Sequence, residues 1–376
     1  MTLLFKQLPL NPHFIYTLNP NLSRSIIHHT RIPTLVQCNH TPFHKTEPSP
    51  IFTSVKTFAP VTFDDLGTCF DFLSVAIDGI GNTITLSLDP TVHPGSISIS
   101  SIQSSDPTNS KNLISDPLLN YAGIATIATM RKIGVGSVGL SISVEKGLPF
   151  NDSRLGSSIA SAAAAAVVAV NELFGRPLPV SNLIPAGLGS DAKSSGCHVN
   201  NIAAAIMGGF VLSNRYDPLD LIPLWFPPTA ELFFVIATPE FNAPPQVPPF
   251  EKFELNNCRW NCRHAVMLMD SVFEGDGGML GSSTLPSNKI LEQCWAFLIP
   301  GLAGVKRAAL EAGAFGCTTI NSVGPNVIAV IDDEDKGNEI GARMVEAFLV
   351  EGKLKASSTV RKIDRVGARV ISFNCL

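Results

Sequence analysis

Lys146–Phe174 reads KGLPFNDSRLGSSIASAAAAAVVAVNELF, a turn of small and polar residues running into an alanine-rich helix, with Leu155-Gly156-Ser157-Ser158 at the junction. The first four N–H groups of a helix have no partner within it, and the aligned peptide dipoles leave positive charge at that end. Such a start is a natural seat for phosphate. The hydroxyls of Ser157 and Ser158 suit either a helix cap or the cation of a metal–nucleotide. Five consecutive alanines, Ala162–Ala166, keep the helix thin enough to lie close against a sheet. From the residues alone, an anion site and an ordinary capped core helix stand as equal alternatives.

Working outward, Val138–Val144 alternates apolar with polar residues and predicts a strand that delivers the chain to this turn. Thr83–Leu88 and Ser96–Ser100 alternate in the same way. Leu118–Ile133 has apolar residues at helical spacing and a stop at Gly134, while Gly175 and Pro177 close the alanine-rich helix. Further helices are predicted near Asn200–Met207 and over Trp260–Phe273, Leu302–Ala314 and Glu339–Val350. Leu232–Ala237, Val327–Ile331 and Ser358–Ile363 read as strands. Strands and helices mix without strict βαβ alternation, which favours an α+β fold over a doubly wound sheet. The proline-rich Ala243–Pro249 is a surface loop, and no internal repeat is visible.

With 376 residues and 45% apolar content the chain can build two cored domains. Its longest apolar block, Ile159–Val170, is too short to span a bilayer and runs into Asn171-Glu172, so no membrane role is expected. The first acidic residue is Glu47; before it lie Lys6, Arg24, Arg31 and Lys45, many hydroxyl residues and five of the eight histidines. An acid-free, basic leader of this kind predicts an organelle transit peptide over 1–50, disordered and outside the fold. Without those four of the 27 cations, 23 basic side chains face 31 acidic ones, a net charge of −8. An acidic body without a basic stripe argues against nucleic acid as partner. The eight cysteines are scattered; Cys258, Cys262 and His264 invite a zinc reading, but no second ligand pair follows at finger-like spacing. Free thiols are the better account.

The phosphate-seat run resembles the phosphate loop of the GHMP kinase superfamily. NNIAAAIMGGFVL at 200–212, YDPLDLIPL behind it, LIPGLAGVKRAALEAGAFGCT and VGARV narrow the resemblance to homoserine kinases of the plant, plastid type along nearly all of Val55–Ile371. The resemblance implies an ATP-binding domain over 53–222 and a ferredoxin-like domain over 223–372. It further implies ATP and Mg2+ as cofactors, L-homoserine as substrate, a homodimer, and the chloroplast stroma as location.

Carried over residue by residue, the resemblance puts Leu155, Gly156, Ser157, Ser158 and Gly324 at the nucleotide, and Ser157, Ser158 and Asp191 at magnesium. It puts Asp71, His198 and Asn201 at homoserine, with Asp191 and Asn201 nearest the chemistry. Departures fall on the same segments. The family loop Pro-x-Gly-x-Gly-Leu-Gly-Ser-Ser is here Pro149-Phe-Asn-Asp-Ser-Arg-Leu155-Gly-Ser-Ser158, one residue longer, without two glycines and with Asp152 introduced. In Glu-x-x-x-Ser-Gly-x-His-x-Asp-Asn, Asp191 replaces the glutamate and Asn200 the aspartate. In Pro-Ala-Thr-x-Ala-Asn-Leu-Gly-Pro-Gly-Phe-Asp, which begins at Pro60, Asp65 stands for asparagine and Cys69 for glycine. In Ser-Gly-Ala-Gly-Pro-Thr only Gly324-Pro325 persist. ATP-dependent phosphorylation of the homoserine hydroxyl is therefore the leading expectation, at doubtful turnover. A silent, fold-retaining paralogue and a kinase for another small alcohol are the alternatives.

Overall fold

Period-two burial carries the chain out along β1 (Phe52–Asp64) and back along β2 (Leu73–Leu88), its antiparallel partner. The computed structural model describes residues 46–64, 66–69, 72–104, 114–147, 156–188, 199–240, 254–284, 298–319 and 326–376. Along the first half of β1, Val55, Thr57 and Ala59 are fully buried and face the helical layer. The β1–β2 register then shifts between Pro60 and Val61. Beyond that irregularity the parity is reversed: Val61 and Phe63 join a second core, while Thr62 and Asp64 reach back towards the helices. A one-residue change of phase moves every following side chain to the opposite face. This is what turns two polar residues inward at the end of β1.

β3 (Ile97–Ser104) and β4 (Leu140–Lys146) run parallel to each other, with β4 antiparallel to β2. Between them lies α1 (Tyr121–Ile133), where the Asn120 side chain accepts from the Ala122 N–H and Gly134, at φ 78°, ends the helix. The alanine-rich segment forms α2 (Gly156–Leu173), whose fully buried Ala160, Ala164, Ala165 and Ala169 allow the close approach to β1 and β2. The Thr57 hydroxyl donates to the Ala165 carbonyl across that contact (2.8 Å). α3 (Val180–Leu188) and α4 (Val199–Met207) complete the layer. A hairpin of β5 (Phe210–Tyr216) and β6 (Leu219–Leu224) pairs with the start of β2.

A second sheet of four strands takes the order β10 (Ala356–Lys362), β7 (Phe233–Pro239), β9 (Val327–Ile331), β8 (Gly316–Thr319). One face packs Val235 and Ala329 under α7 (Leu302–Glu311) and α8 (Glu334–Ala347). The other face packs Phe234 and Ile236 against α5 (Leu255–Glu274), α6 (Gly277–Thr284) and the inner ends of β1 and β2. Phe63 meets Phe234 edge-on at 5.9 Å, so the two sheets share a core through the site-bearing end of β1.

The chain finally returns to the first sheet, where β11 (Arg369–Cys375) pairs antiparallel with β1. Its entry turn is held by Asp364, which accepts from the Val366 and Gly367 N–H groups and from Arg369. Gly367, at φ 77°, passes so close to α4 that a Cβ there would stand 2.4 Å from the Ile206 carbonyl oxygen. The VGARV motif thus braces the end of α4 against the C-terminal return. No helix among the described residues is long and apolar enough to cross a membrane.

Candidate active site

The first part of the site is the start of α2, which Gly156 opens. Ser157 lies in its first turn, and Ser158 beside it is buried. The Asn82 amide on β2 donates to the Ser158 carbonyl (2.8 Å), and the Asn82 backbone N–H donates to the Ser161 hydroxyl (2.9 Å), which itself donates to the Ala59 carbonyl (2.7 Å). Two side chains, Asn82 and Ser161, therefore fix where the helix begins relative to β1 and β2. The Asn82 Oδ1, fully buried, has no hydrogen-bond partner. Lys146 faces Asn82 in the β2–β4 register at the mouth of the loop. Partial burial holds its ammonium below the usual lysine range. Gly81 lets these elements meet, since a Cβ there would lie 2.0 Å from the Ala59 carbonyl oxygen.

The second part is a buried polar cluster where the end of β1 meets the first turn of α4. The Asn201 Oδ1 accepts from the Thr62 hydroxyl (2.8 Å) and from the Ser74 hydroxyl (3.4 Å). Its Nδ2 donates to the Asp64 carboxylate (2.9 Å). Thr62, Ser74, Asn200 and Asn201 are all fully buried, and Asp64 is 1% exposed. Two hydroxyl donors and one carboxylate acceptor leave the amide a single satisfactory orientation. Neighbouring Asn200 is the opposite case, because neither of its amide atoms has a hydrogen-bond partner. Cys69 is buried in the second core, where burial pushes its thiol up to about 12, so it is a packing residue rather than a nucleophile.

Of the residues expected from sequence, Gly156, Ser157 and Ser158 stand at the start of α2, and Asn201 in the polar cluster. Asp71, Leu155, Asp191, His198 and Gly324 lie outside the described residues. Reading the sequence missed Asp64 and Asn82, which became visible only once the phase change in β1 and the β2–α2 contact were known. The available signal for Asp64 was a charged residue where the family pattern has alanine. On α5, His264 does not turn towards Cys258 and Cys262; its Nδ1 hydrogen-bonds the Trp260 carbonyl (2.8 Å) and its ring packs on the Trp260 indole.

Asn201→Ala is expected to remove an amide donor from a buried carboxylate. The cost is about 1–3 kcal/mol of stability, read as a lower urea midpoint with an unchanged slope. An unaltered midpoint would show that the cluster contributes nothing to the fold.

The model for the GHMP kinases N terminal domain matches residues 120–209, from the cap of α1 to the turn after α4. A homoserine kinase from Arabidopsis thaliana is 53% identical over 330 residues, covering 87% of both chains. One from Chlorobium phaeovibrioides is 34% identical and covers 85% of this chain and 99% of its own length. The crystal structure of homoserine kinase from Cytophaga hutchinsonii superposes with a TM-score of 0.74 at 28% identity, covering 85% of this chain and 98% of that one. The α+β arrangement is therefore the GHMP kinase fold, and similarity of this depth across nearly the whole described chain means that the protein belongs to the homoserine kinase family, a family of ATP-dependent small-molecule kinases.

Proposed function

We propose that the chain transfers the γ-phosphoryl group of ATP to the side-chain hydroxyl of L-homoserine, giving O-phospho-L-homoserine and ADP. The observation that carries this reading is the placement of an oriented amide, Asn201, in the helical layer whose α2 presents a phosphate seat to the same β1–β2 pair. In the reaction the hydroxyl oxygen bonds to the γ-phosphorus and the bond to the β–γ bridging oxygen breaks. ADP departs with that electron pair, and the hydroxyl proton passes to solvent. Phosphoryl transfer asks little covalent chemistry of a protein and depends on position and charge. Gly156, Ser157 and Ser158, with Leu155 and the Gly324 turn, serve the phosphates. Asp71, His198 and Asn201 serve homoserine.

Magnesium is usually held by one or two carboxylates together with substrate phosphates. A buried serine in the first turn of α2 suits that donor set, so Ser157, Ser158 and Asp191 are the proposed ligands. The ion would neutralise charge between the β- and γ-phosphates. Transfer of radiolabel from γ-labelled ATP to homoserine by the full chain with magnesium tests the proposal, and label released without regard to homoserine would overturn it. Asp152 favours a second reading, a folded chain that no longer turns over; a calorimetric titration showing no ATP binding is the outcome specific to it. The proposed working form is a homodimer, and the two domains are proposed over 53–222 and 223–372.

The proposed location is the chloroplast stroma, reached by a leader that is then removed. From the sequence, processing is expected within Lys45–Val55, after a leader read as 1–50; the contacts of Glu47 shorten that leader and narrow processing to at or before Glu47. This carboxylate accepts from the Gly136 N–H, the Ser137 N–H and the Ser137 hydroxyl at 2.7–2.8 Å, which draws its ionisation below the usual glutamate range. The Ile51 N–H donates to the Leu173 carbonyl (2.8 Å), so residues from Glu47 onward belong to the folded body. Mass spectrometry of the chain recovered from plastids should place the new terminus before Pro48. A terminus within 48–55 would contradict this.

A further inference from the structure

Two positions beside Asn201 have exchanged character relative to the family pattern. Asn200, next to it on α4, is an amide where the pattern has aspartate, and it is fully buried without a partner for either polar atom. Asp64, on β1, is a carboxylate where the pattern has alanine, and it accepts the Asn201 N–H at 2.9 Å. Of these two, Asp64 is the one that touches the Asn201 amide.

We infer that Asp64 is a positioning residue of the proposed homoserine site: it holds the Asn201 amide with its oxygen towards Thr62 and Ser74, leaving its second N–H for the substrate. This rests on the proposed function. A primary amide has two N–H donors, and Asp64 takes one. Without the carboxylate, Thr62 and Ser74 can each serve an amide turned either way, because a hydroxyl both donates and accepts. The orientation of Asn201 would then be lost although the hydroxyls remain. Asp64 acts on substrate only through Asn201, so the reaction gains orientation from it and no proton.

The test compares Asp64→Ala with Asp64→Asn, both made in the full-length chain. Asp64→Ala is expected to lower kcat for homoserine at least tenfold and leave the KM for ATP unchanged, a split that general loosening of the fold would not give. Asp64→Asn keeps an oxygen that can accept the Asn201 N–H and is expected to hold kcat within threefold of the unaltered chain. A kcat unchanged in Asp64→Ala, or lost as fully in Asp64→Asn, overturns the inference. If the unaltered chain does not phosphorylate homoserine at all, the proposed function fails and the inference is decided on the protein alone. The side-chain amide resonances of Asn201, assigned with asparagine-labelled protein, should then shift or broaden in Asp64→Ala and stay a single sharp pair in Asp64→Asn. Resonances identical in all three chains would overturn it.

Discussion

Trp295→Arg, introduced into a chain whose phosphate loop has been restored to the family spacing, is expected to raise kcat/KM for homoserine by about 10- to 10²-fold over the loop-repaired chain alone. The substrate carboxylate needs a cation, and the resemblance supplies one from an arginine that precedes the Leu-Ile-Pro-Gly turn. In this chain that position is Trp295, followed by Ala296-Phe297 and Leu298-Ile299-Pro300-Gly301. Trp295 lies outside the described residues, which resume at Leu298. Ile299 and Leu302 are buried in the core of the second sheet. Gly301, at φ 80°, runs so near the turn after α8 that a Cβ would stand 2.6 Å from the Gly352 nitrogen. A guanidinium introduced at position 295, four residues before Ile299, therefore lies shortly ahead of a packed turn. A hydrogen bond to a charged group contributes about 1.5–3 kcal/mol, which is the source of the expected factor. The check is steady-state kinetics in homoserine at saturating ATP; an unchanged kcat/KM would show that another cation, such as Lys252, Arg259 or Arg263, already serves.

The second large effect concerns ATP. Deleting Asn151 and replacing Asp152 and Arg154 by glycine converts the loop to the family spacing, Pro149-Phe150-Gly-Ser-Gly-Leu155 in the altered segment. Glycine lets backbone approach phosphate without a Cβ in the way. Removing Asp152 also removes a like charge from the neighbourhood of the phosphates, where two unit charges 4 Å apart at an effective permittivity of 20 repel by about 4 kcal/mol. Asp152 and Arg154 lie outside the described residues; on the sequence reading the Arg154 guanidinium would offset part of that repulsion, so a net gain of about 1.4 kcal/mol, or tenfold in Kd, is expected. The anchors behind the loop stay as they are, since Asn82, Ser158 and Ser161 lie outside the altered segment. Calorimetric titration with ATP gives the answer directly. A low micromolar Kd in the unaltered chain would mean that the longer loop already accepts phosphate.

Much of the fold was legible because periodicity and punctuation agreed. Val327–Ile331 is the whole of β9, and Gly134 ends α1 through its left-handed backbone. Elsewhere local signals misled. α3 carries Pro185 in its interior, so a residue that normally ends a helix hid one that packing on α2 and α4 sustains. The β5–β6 hairpin was obscured by Pro218 and Pro223; strand β6 lies away from the sheet's interior, where a missing N–H costs little. At the site, Ser158 and Asn201 were readable from motif spacing. Asp64 was not, because its inward direction comes from the phase change at Pro60–Val61, which only pairing with β2 creates. Asn82 belongs to an alternating strand and acquires its role from a helix 76 residues further along.

The pairing of β11 with β1 sets a schedule for folding. Ribosomes and import channels deliver a chain from its N-terminal side, and domains generally fold as they emerge. β1 joins β2 early, since the two are neighbours in sequence, yet its other edge waits for Phe373–Cys375, more than 300 residues later. An open strand edge is a template for unwanted pairing. The nascent protein must therefore pass nearly its whole length with that edge uncovered, and α4, which Gly367 braces, is secured only in the same closing step. The last residues of the chain thus act as a clasp, and truncations at the C-terminus belong with assembly defects more than with losses of chemistry.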